Sequence, residues 1–333
     1  MRNIAVIDLR TLKNNAKKVK AALPSGVKLC AVVKADAYGH GACECANALY
    51  KIADCYAVAL VEEGIALRLS GIDKDIIVLI PIKKEEAPVA VEYGLSLTVA
   101  NVTDISVLER EGKKQDKTVK VHVAINSGMN RLGVNVEELD GICFKLKKCR
   151  YVKLKGVFSH FACPENKKRR LAALKKFSAA AKKLKTVNLD VIKHISASGG
   201  FLCGEYQDMV RIGILLYGYK PFKSDFPVKP VMRIYSHTVV KRNVKKGELV
   251  LYGDKPLSKG AKYSLVRVGY ADGFLRKKTE GLINNRCMDT SGVIGNFDGK
   301  VLTDADKIAK ERKTISYEVL CSATSRAEKK YIR

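Results

Sequence analysis

The amino-acid sequence predicts an α/β protein, a (β/α)8 barrel of the TIM type followed by a mostly β C-terminal domain. Three observations carry that expectation. Eight short apolar runs alternate with longer polar segments of helical periodicity, the pattern of repeated strand and helix. Lys34, Asn126, His160, Ser198 and Arg211 each fall late in one of those runs or just beyond it, which is the rim that carries the active site in barrels of this kind. Beyond Tyr219 the texture changes to proline punctuation and alternating segments.

The chain opens with Ile4-Ala5-Val6-Ile7, an apolar strand with no obvious barrel partner. Lys13, Lys17, Lys18 and Lys20 then alternate with Leu12, Ala16, Val19 and Leu23 at helical spacing, so an amphipathic helix follows. Barrel strands are expected at 27–33, 56–60, 76–80, 95–99, 119–125, 154–160, 191–196 and 209–216. A second amphipathic helix sets Lys175, Lys176, Lys182 and Lys183 against an apolar face of Leu171, Leu174, Ala181 and Leu184. Pro221, Pro227 and Pro230 mark a linker, and alternating strands are expected at 231–240, 248–252 and 263–268.

The formal charge of +27 raises the question of nucleic acid, because a basic surface attracts phosphate. The lysines are spread through many segments and sit on wet helix faces, so no specific nucleic-acid partner is expected, and weak polyanion binding would be a side effect. No apolar run is long enough to span a bilayer, and the N-terminus carries no visible leader or anchor. A cytoplasmic protein without membrane contact is expected. Its ten cysteines occur singly or as Cys43-Glu44-Cys45, and its five histidines form no His-Glu-x-x-His pattern. Reduced thiols and no metal are the expectation.

The most informative stretch is Ala31-Val32-Val33-Lys34-Ala35-Asp36-Ala37-Tyr38-Gly39-His40-Gly41. Val27, Leu29, Ala31, Val32 and Val33 read as a buried strand that Gly39 and Gly41 interrupt, so Lys34 leaves the core where the strand ends. A desolvated lysine amine loses its proton more readily, which suits Schiff-base chemistry with a carbonyl cofactor such as pyridoxal phosphate. Taken alone, the residue also reads as a surface lysine. The motif around it resembles the cofactor-lysine motif of the alanine racemases. Four further motifs follow in that family's order: Ser127-Gly128-Met129-Asn130-Arg131-Leu132-Gly133, Ser159-His160-Phe161-Ala162, Arg211-Ile212-Gly213-Ile214 and Gly269-Tyr270-Ala271-Asp272-Gly273. The resemblance runs from Ile7 to about Arg326.

That resemblance implies three regions: residues 1–9, whose strand joins the C-terminal domain; residues 10–222, the pyridoxal-phosphate barrel; and residues 223–333, the β domain. It implies that Lys34 holds pyridoxal 5'-phosphate and serves as base on one face of the substrate carbon, with Tyr270 as base on the other. Inversion needs a proton removed from one side and delivered to the other, so two bases make chemical sense. A tyrosine packed at a turn is the plainer reading of Tyr270 alone, and Asp272 reads as ordering that turn. By the same resemblance Arg211 faces the pyridine nitrogen and His160 bonds to that arginine. Tyr38, Ser198, Gly213 and Ile214 bind the phosphate, the last two through the main chain. Arg131 contacts the cofactor's phenolic oxygen and the substrate carboxylate, and Met288 offers that carboxylate a backbone donor. The family's Tyr270 and Met288 equivalents reach the cofactor of a second subunit, which implies a homodimer with shared active sites.

Several positions depart from the family pattern. Ala124 stands for a lysine, Asn126 for an aspartate, Ala197 for an asparagine beside the phosphate serine, and Ser325 for an active-site tyrosine. The segment between Tyr270 and Cys287 is short, with Asn284-Asn285-Arg286 before Cys287-Met288-Asp289. The expected function is a pyridoxal-phosphate-dependent racemase interconverting L-alanine and D-alanine for peptidoglycan. A serine-preferring or broad-specificity racemase, a noncatalytic pyridoxal-phosphate-binding protein and a decarboxylase on the related barrel are the alternatives.

Overall fold

The computed structural model describes residues 3–252, 255–274, 287–295 and 297–333. The segment containing Asn284-Asn285-Arg286 lies outside them. The described residues form two compact units, one of Lys13–Ala37 and Ala42–Val228, the other of Met1–Leu12, Tyr38–Gly41 and Lys229–Arg333.

Strand β1 (Ile4–Asp8) belongs to the second unit. The first is built on eight strands, β2 (Lys28–Val32), β3 (Cys55–Val58), β4 (Ile76–Val78), β5 (Ser96–Val99), β6 (Val119–Ala124), β7 (Val152–Phe158), β8 (Ile192–His194) and β9 (Met209–Ile212). They lie side by side in the order β8-β7-β6-β5-β4-β3-β2-β9, and every adjacent pair is parallel. Two bonds join the ends of that order, Asp208 N to Lys193 O at 3.1 Å and Arg211 N to Ser196 O at 2.9 Å. The sheet thus closes on itself. All residues of β3, β4 and β5 are buried; β3 and β4 accordingly read as continuous apolar runs, whereas β5 alternates and satisfies its buried hydroxyls, Ser96 on Asp75 Oδ1 and Thr98 on Val78 O.

All eight barrel strands lie where the sequence puts them, but several stop early. The last was expected over 209–216; its ladder ends at Ile212 because Leu216 N and Tyr217 N turn back to Gly213 O and Ile214 O. In the first helix, Leu9–Ala21, Leu12, Ala16 and Val19 are buried as the periodicity requires. The helix Lys167–Leu184 departs from its expected face. Leu171 is 50% exposed, and the buried line runs instead through Ala173, Phe177, Ala180, Ala181 and Leu184. Three of the five residues on that line are alanines, and Leu171, in the second turn, lies off it.

The second unit adds β10 (Met232–Tyr235), β11 (Thr238–Val244), β12 (Ala261–Val266), β13 (Ser291–Ile294), β14 (Lys300–Leu302) and β15 (Glu328–Ile332). One sheet has the order β14-β10-β1-β15 and another β11-β12-β13. β1 pairs antiparallel with β10 and parallel with β15, so the strand without a barrel partner finds its partners in the C-terminal third of the chain. The alternating run 231–240 divides at Ser236, where the chain passes from one sheet to the other. No strand forms at 248–252. There Gly247 N donates to Leu257 O and Leu257 N to Glu248 O, and Leu251 takes a positive φ of 50°. Two helices, Ala305–Arg312 and Ser316–Ala323, had not been foreseen; Asp304 caps the first by accepting from Asp306 N at 2.9 Å. Among the described residues no helix is long and apolar enough to cross a membrane.

Candidate active site

Lys34 lies two residues past the end of β2, half-buried at the C-terminal end of the barrel strands. The backbone there leaves the strand in a left-handed turn, with φ of 51° at Ala35, 52° at Asp36 and 55° at Ala37. For residues with a side chain this conformation costs roughly 1–2 kcal/mol each, so other contacts must hold it. Ala37 N donates to Val33 O at 2.8 Å, Asp36 Oδ1 accepts from Ala42 N at 2.8 Å, and Glu63 Oε1 accepts from Ala35 N at 2.5 Å.

Arg211, in the strand adjacent to β2, is only 3% exposed. Its Nη2 donates to Ser159 O at 2.6 Å and to Ile195 O at 3.3 Å, and lies 3.5 Å from His160 Nδ1. Its Nη1 donates to His194 Nδ1 at 2.9 Å and also to His194 O. Since a guanidinium only donates, His194 Nδ1 must accept and the ring proton sits on Nε2. That Nε2 is 2.8 Å from His122 Nδ1, so the proton of His122 in turn sits on its own Nε2, which is buried without a partner among the described residues. Three buried side chains from β9, β8 and β6 thereby form one directed line. No carboxylate pairs with Arg211 among the described residues.

Burial dominates the titration of this cluster. It lowers Arg211 to about 10, which leaves the guanidinium charged at neutral pH. Burial, then the cations Arg211, Arg131 and Lys34, push His160 down to about 3. His122 falls to about 4 through burial, and His194 is held well below the usual histidine range by burial, Arg211 and His122. All three imidazoles are therefore neutral.

The cations that act on His160 show that Lys34, Arg131, His160 and Arg211 share one neighbourhood. Arg131 stands on a loop that folds back on β6: Val134 N donates to Ala124 O and Asn126 N to Val134 O. Gly133 permits this return, because a Cβ there would lie 2.8 Å from Asn126 N. Asn126 orders the loop through both ends of its amide, with Oδ1 accepting from Gly128 N and Asn130 N and Nδ2 donating to Asn130 Oδ1 and Asn135 Oδ1. Arg131 is exposed and has no ion pair among the described residues. Asn126, Met129, Arg131, Ser159 and His160 line one small cavity. Beyond β8 and β9, Gly213 N donates to Ser198 Oγ at 3.3 Å, and Ile214 is fully buried.

Tyr38, Tyr270 and Met288 belong to the β-rich unit. Tyr38 is buried edge-on against Tyr317, with ring centroids 5.4 Å apart. Tyr270 N donates to Cys287 O and Ala271 N to Met288 O, which sets Tyr270 beside Met288. The flanking glycines are required by space: a Cβ on Gly269 would lie 2.2 Å from Met288 O, and one on Gly273, at φ 81°, 2.2 Å from Ser322 O. Asp272 orders this turn by accepting from Gly269 N at 2.9 Å. Tyr270 is 45% and Met288 56% exposed. Ser325 is exposed at the end of the helix Ser316–Ala323, its N–H on Ser322 O.

His122, His194 and Glu63 were not singled out from the sequence. The only signal for the histidines is a polar residue inside an otherwise apolar strand, at Val-His-Val and Lys-His-Ile.

The residues present suit pyridoxal phosphate: a strand-end lysine, a buried guanidinium that no carboxylate among the described residues neutralises, and a hydroxyl paired with a backbone N–H beyond β8 and β9. Fold and site thus define a barrel enzyme of the pyridoxal-phosphate-dependent class with an appended β unit. Residues 7–221 match the alanine racemase N-terminal domain and residues 231–331 its C-terminal domain. The chain belongs to the alanine racemase family. It is 34% identical to alanine racemase 1 of Bacillus subtilis (strain 168), over 98% of this chain and 92% of that protein. The solved structure of alanine racemase from Clostridium difficile 630 superposes with a TM-score of 0.93 at 31% identity, covering 100% of this chain and 96% of that one. That of alanine racemase from Bartonella henselae, with covalently bound pyridoxal phosphate, gives 0.86 at 25% identity over 100% of both chains.

Proposed function

We propose that this chain interconverts L-alanine and D-alanine with pyridoxal 5'-phosphate, in the cytoplasm, and so supplies D-alanine for peptidoglycan. The observation that carries the reading is Lys34 just past the end of β2, with the adjacent strand carrying a buried Arg211 that has no carboxylate partner among the described residues. When bound, pyridoxal phosphate supplies the electron sink that acidifies the α-hydrogen of an amino acid. Lys34 would hold it, and the Lys34 Nζ would move the proton on one face of the substrate carbon while Tyr270 Oη would move it on the other. Arg211, charged and fixed by Ser159 O and His194, would face the ring nitrogen and disfavour its protonation, which would limit the sink and with it side reactions. His160, kept neutral, accepts from that arginine rather than competing with it. Ser198 Oγ, the main chain at Gly213 and Ile214, and Tyr38 hold the phosphate. Arg131, without an ion pair among the described residues, takes the substrate carboxylate with Met288 N–H.

We propose also that the working form is a homodimer in which Tyr270 and Met288 of one copy complete the site of the other. Their exposure in the single chain supports this. A second reading, relaxed specificity towards serine, is favoured by Ser325 in place of a tyrosine. Chiral chromatography of alanine and serine incubated with the protein and cofactor tests both readings. Appearance of the opposite enantiomer of alanine is the expected result, and binding of cofactor without any racemisation would leave only a noncatalytic carrier.

A further inference from the structure

A single carboxylate ties two barrel loops together. Glu63 lies in the first turn of the helix Val61–Leu69, and its Oε2 accepts from Ala59 N at 2.7 Å and Leu60 N at 3.1 Å. Those bonds are the ordinary work of an acidic residue near a helix start. Its other oxygen does something different. Oε1 reaches across to the loop after the neighbouring strand and accepts from the N–H of Ala35 at 2.5 Å. That N–H is half of the peptide bond whose other half is the carbonyl of Lys34.

The bond falls where the backbone most needs help. Ala35 opens the left-handed turn that continues through Asp36 and Ala37. An aspartate tolerates this region, and Asp36 is further tied by its bond to Ala42 N. Alanine has no such tolerance and no side-chain polar group. Ala35 is moreover exposed, so packing does not confine it. The clamp on its N–H comes from Glu63. The direction in which a side chain leaves the backbone follows from the dihedrals on either side of its Cα, and a relaxation of the Lys34–Ala35 peptide would swing the lysine stem.

We propose that Glu63 is a positioning residue for Lys34: by holding the Ala35 N–H it locks the left-handed turn and aims the amine. The inference rests on the reading of Lys34 as the residue that holds pyridoxal phosphate. It differs from a purely local cap in one respect. If Glu63 acts through the left-handed turn, a residue that enters that turn freely should make Glu63 less necessary, and glycine is such a residue.

The test compares the parent protein with Glu63→Ala, Ala35→Gly and the double variant. Two readouts are taken, amide hydrogen exchange at residue 35 and affinity for pyridoxal phosphate, the latter from the absorbance titration and from borohydride trapping on Lys34. Loss of a hydrogen bond to a charged acceptor is expected to speed exchange at Ala35 and weaken cofactor affinity roughly 10- to 100-fold in Glu63→Ala. Adding Ala35→Gly should recover a substantial part of the affinity. Glu63→Gln, which keeps the shape and removes the charge, gives the same ordering at smaller amplitude and guards against misfolding of the alanine variant. Unchanged exchange at Ala35 overturns the clamp, and so does an affinity loss that glycine at 35 does not relieve. If the parent protein takes up no pyridoxal phosphate, the function proposed above falls, and exchange at residue 35 decides the clamp by itself.

Discussion

Arg211 meets His194 at two of its atoms, the ring Nδ1 at 2.9 Å and the main-chain oxygen, so the guanidinium and the imidazole hold each other in one orientation. The direction of donation fixes the tautomer of His194 and, through the 2.8 Å contact, that of His122 behind it. A protonated imidazole anywhere along this line would face a buried cation at close range. The line therefore works only with neutral histidines.

A pH dependence of stability follows. His122, His160 and His194 are all lowered in the folded protein, His122 to about 4 and His160 to about 3, chiefly by burial. Below the unfolded value near 6.5 the unfolded chain takes up protons that the native state refuses, so stability present above that pH is lost as pH falls towards 4 and then 3. Each histidine adds a slope of about 1.4 kcal/mol per pH unit within its window. Urea unfolding free energies measured from pH 7 down to pH 4.5 should fall steadily. A flat profile over that range would contradict neutral, buried histidines.

Lys34 is expected to capture pyridoxal phosphate covalently. The purified protein should be yellow, and borohydride should bleach it while fixing the cofactor to the peptide containing Lys34. Lys34→Ala should show neither effect. Finding the same reducible adduct in that variant would remove Lys34 from its role.

Tyr270→Phe should suppress α-hydrogen exchange from one enantiomer far more than from the other. Loss of a positioned proton-transfer group costs on the order of 10²–10⁴ in rate, and L-alanine is expected to bear that loss if Lys34 serves D-alanine. Exchange in deuterated water reads each enantiomer separately, and equal losses would argue against two distinct bases.

Mixing inactive Lys34→Ala with inactive Tyr270→Phe protein should restore part of the activity through hybrid dimers. Exchange of subunits can be followed by native mass spectrometry. Proven exchange without recovered turnover would mean that each chain completes its own site.

Ser325→Tyr should lower turnover of serine relative to alanine. Pocket size discriminates weakly, by about 1–3 kcal/mol per methylene-sized group, so relaxed specificity rather than a complete switch is expected of the natural residue. The ratio of kcat/KM for the two amino acids is the measurement; an unchanged ratio would show that position 325 does not set selectivity.

The sequence by itself determined the barrel strands, because a strand buried on both faces reads mostly as an apolar run, as β3 and β4 do. It also singled out Lys34 and Tyr270, whose motifs are short and locally constrained: Gly269 and Gly273 leave no room for a Cβ. Tertiary structure decided what these local signals omit. Leu171 looked like part of a buried face until the helix packed on its alanines, and β1 acquires neighbours more than 220 residues away in β10 and β15. His122 and His194 are 72 residues apart, and Glu63 is 28 residues from Ala35. Nothing in either local sequence announces those pairings. They exist because closing eight strands into a ring turns distant side chains inward at the same level, and because a left-handed turn recruits whatever acceptor the next loop offers.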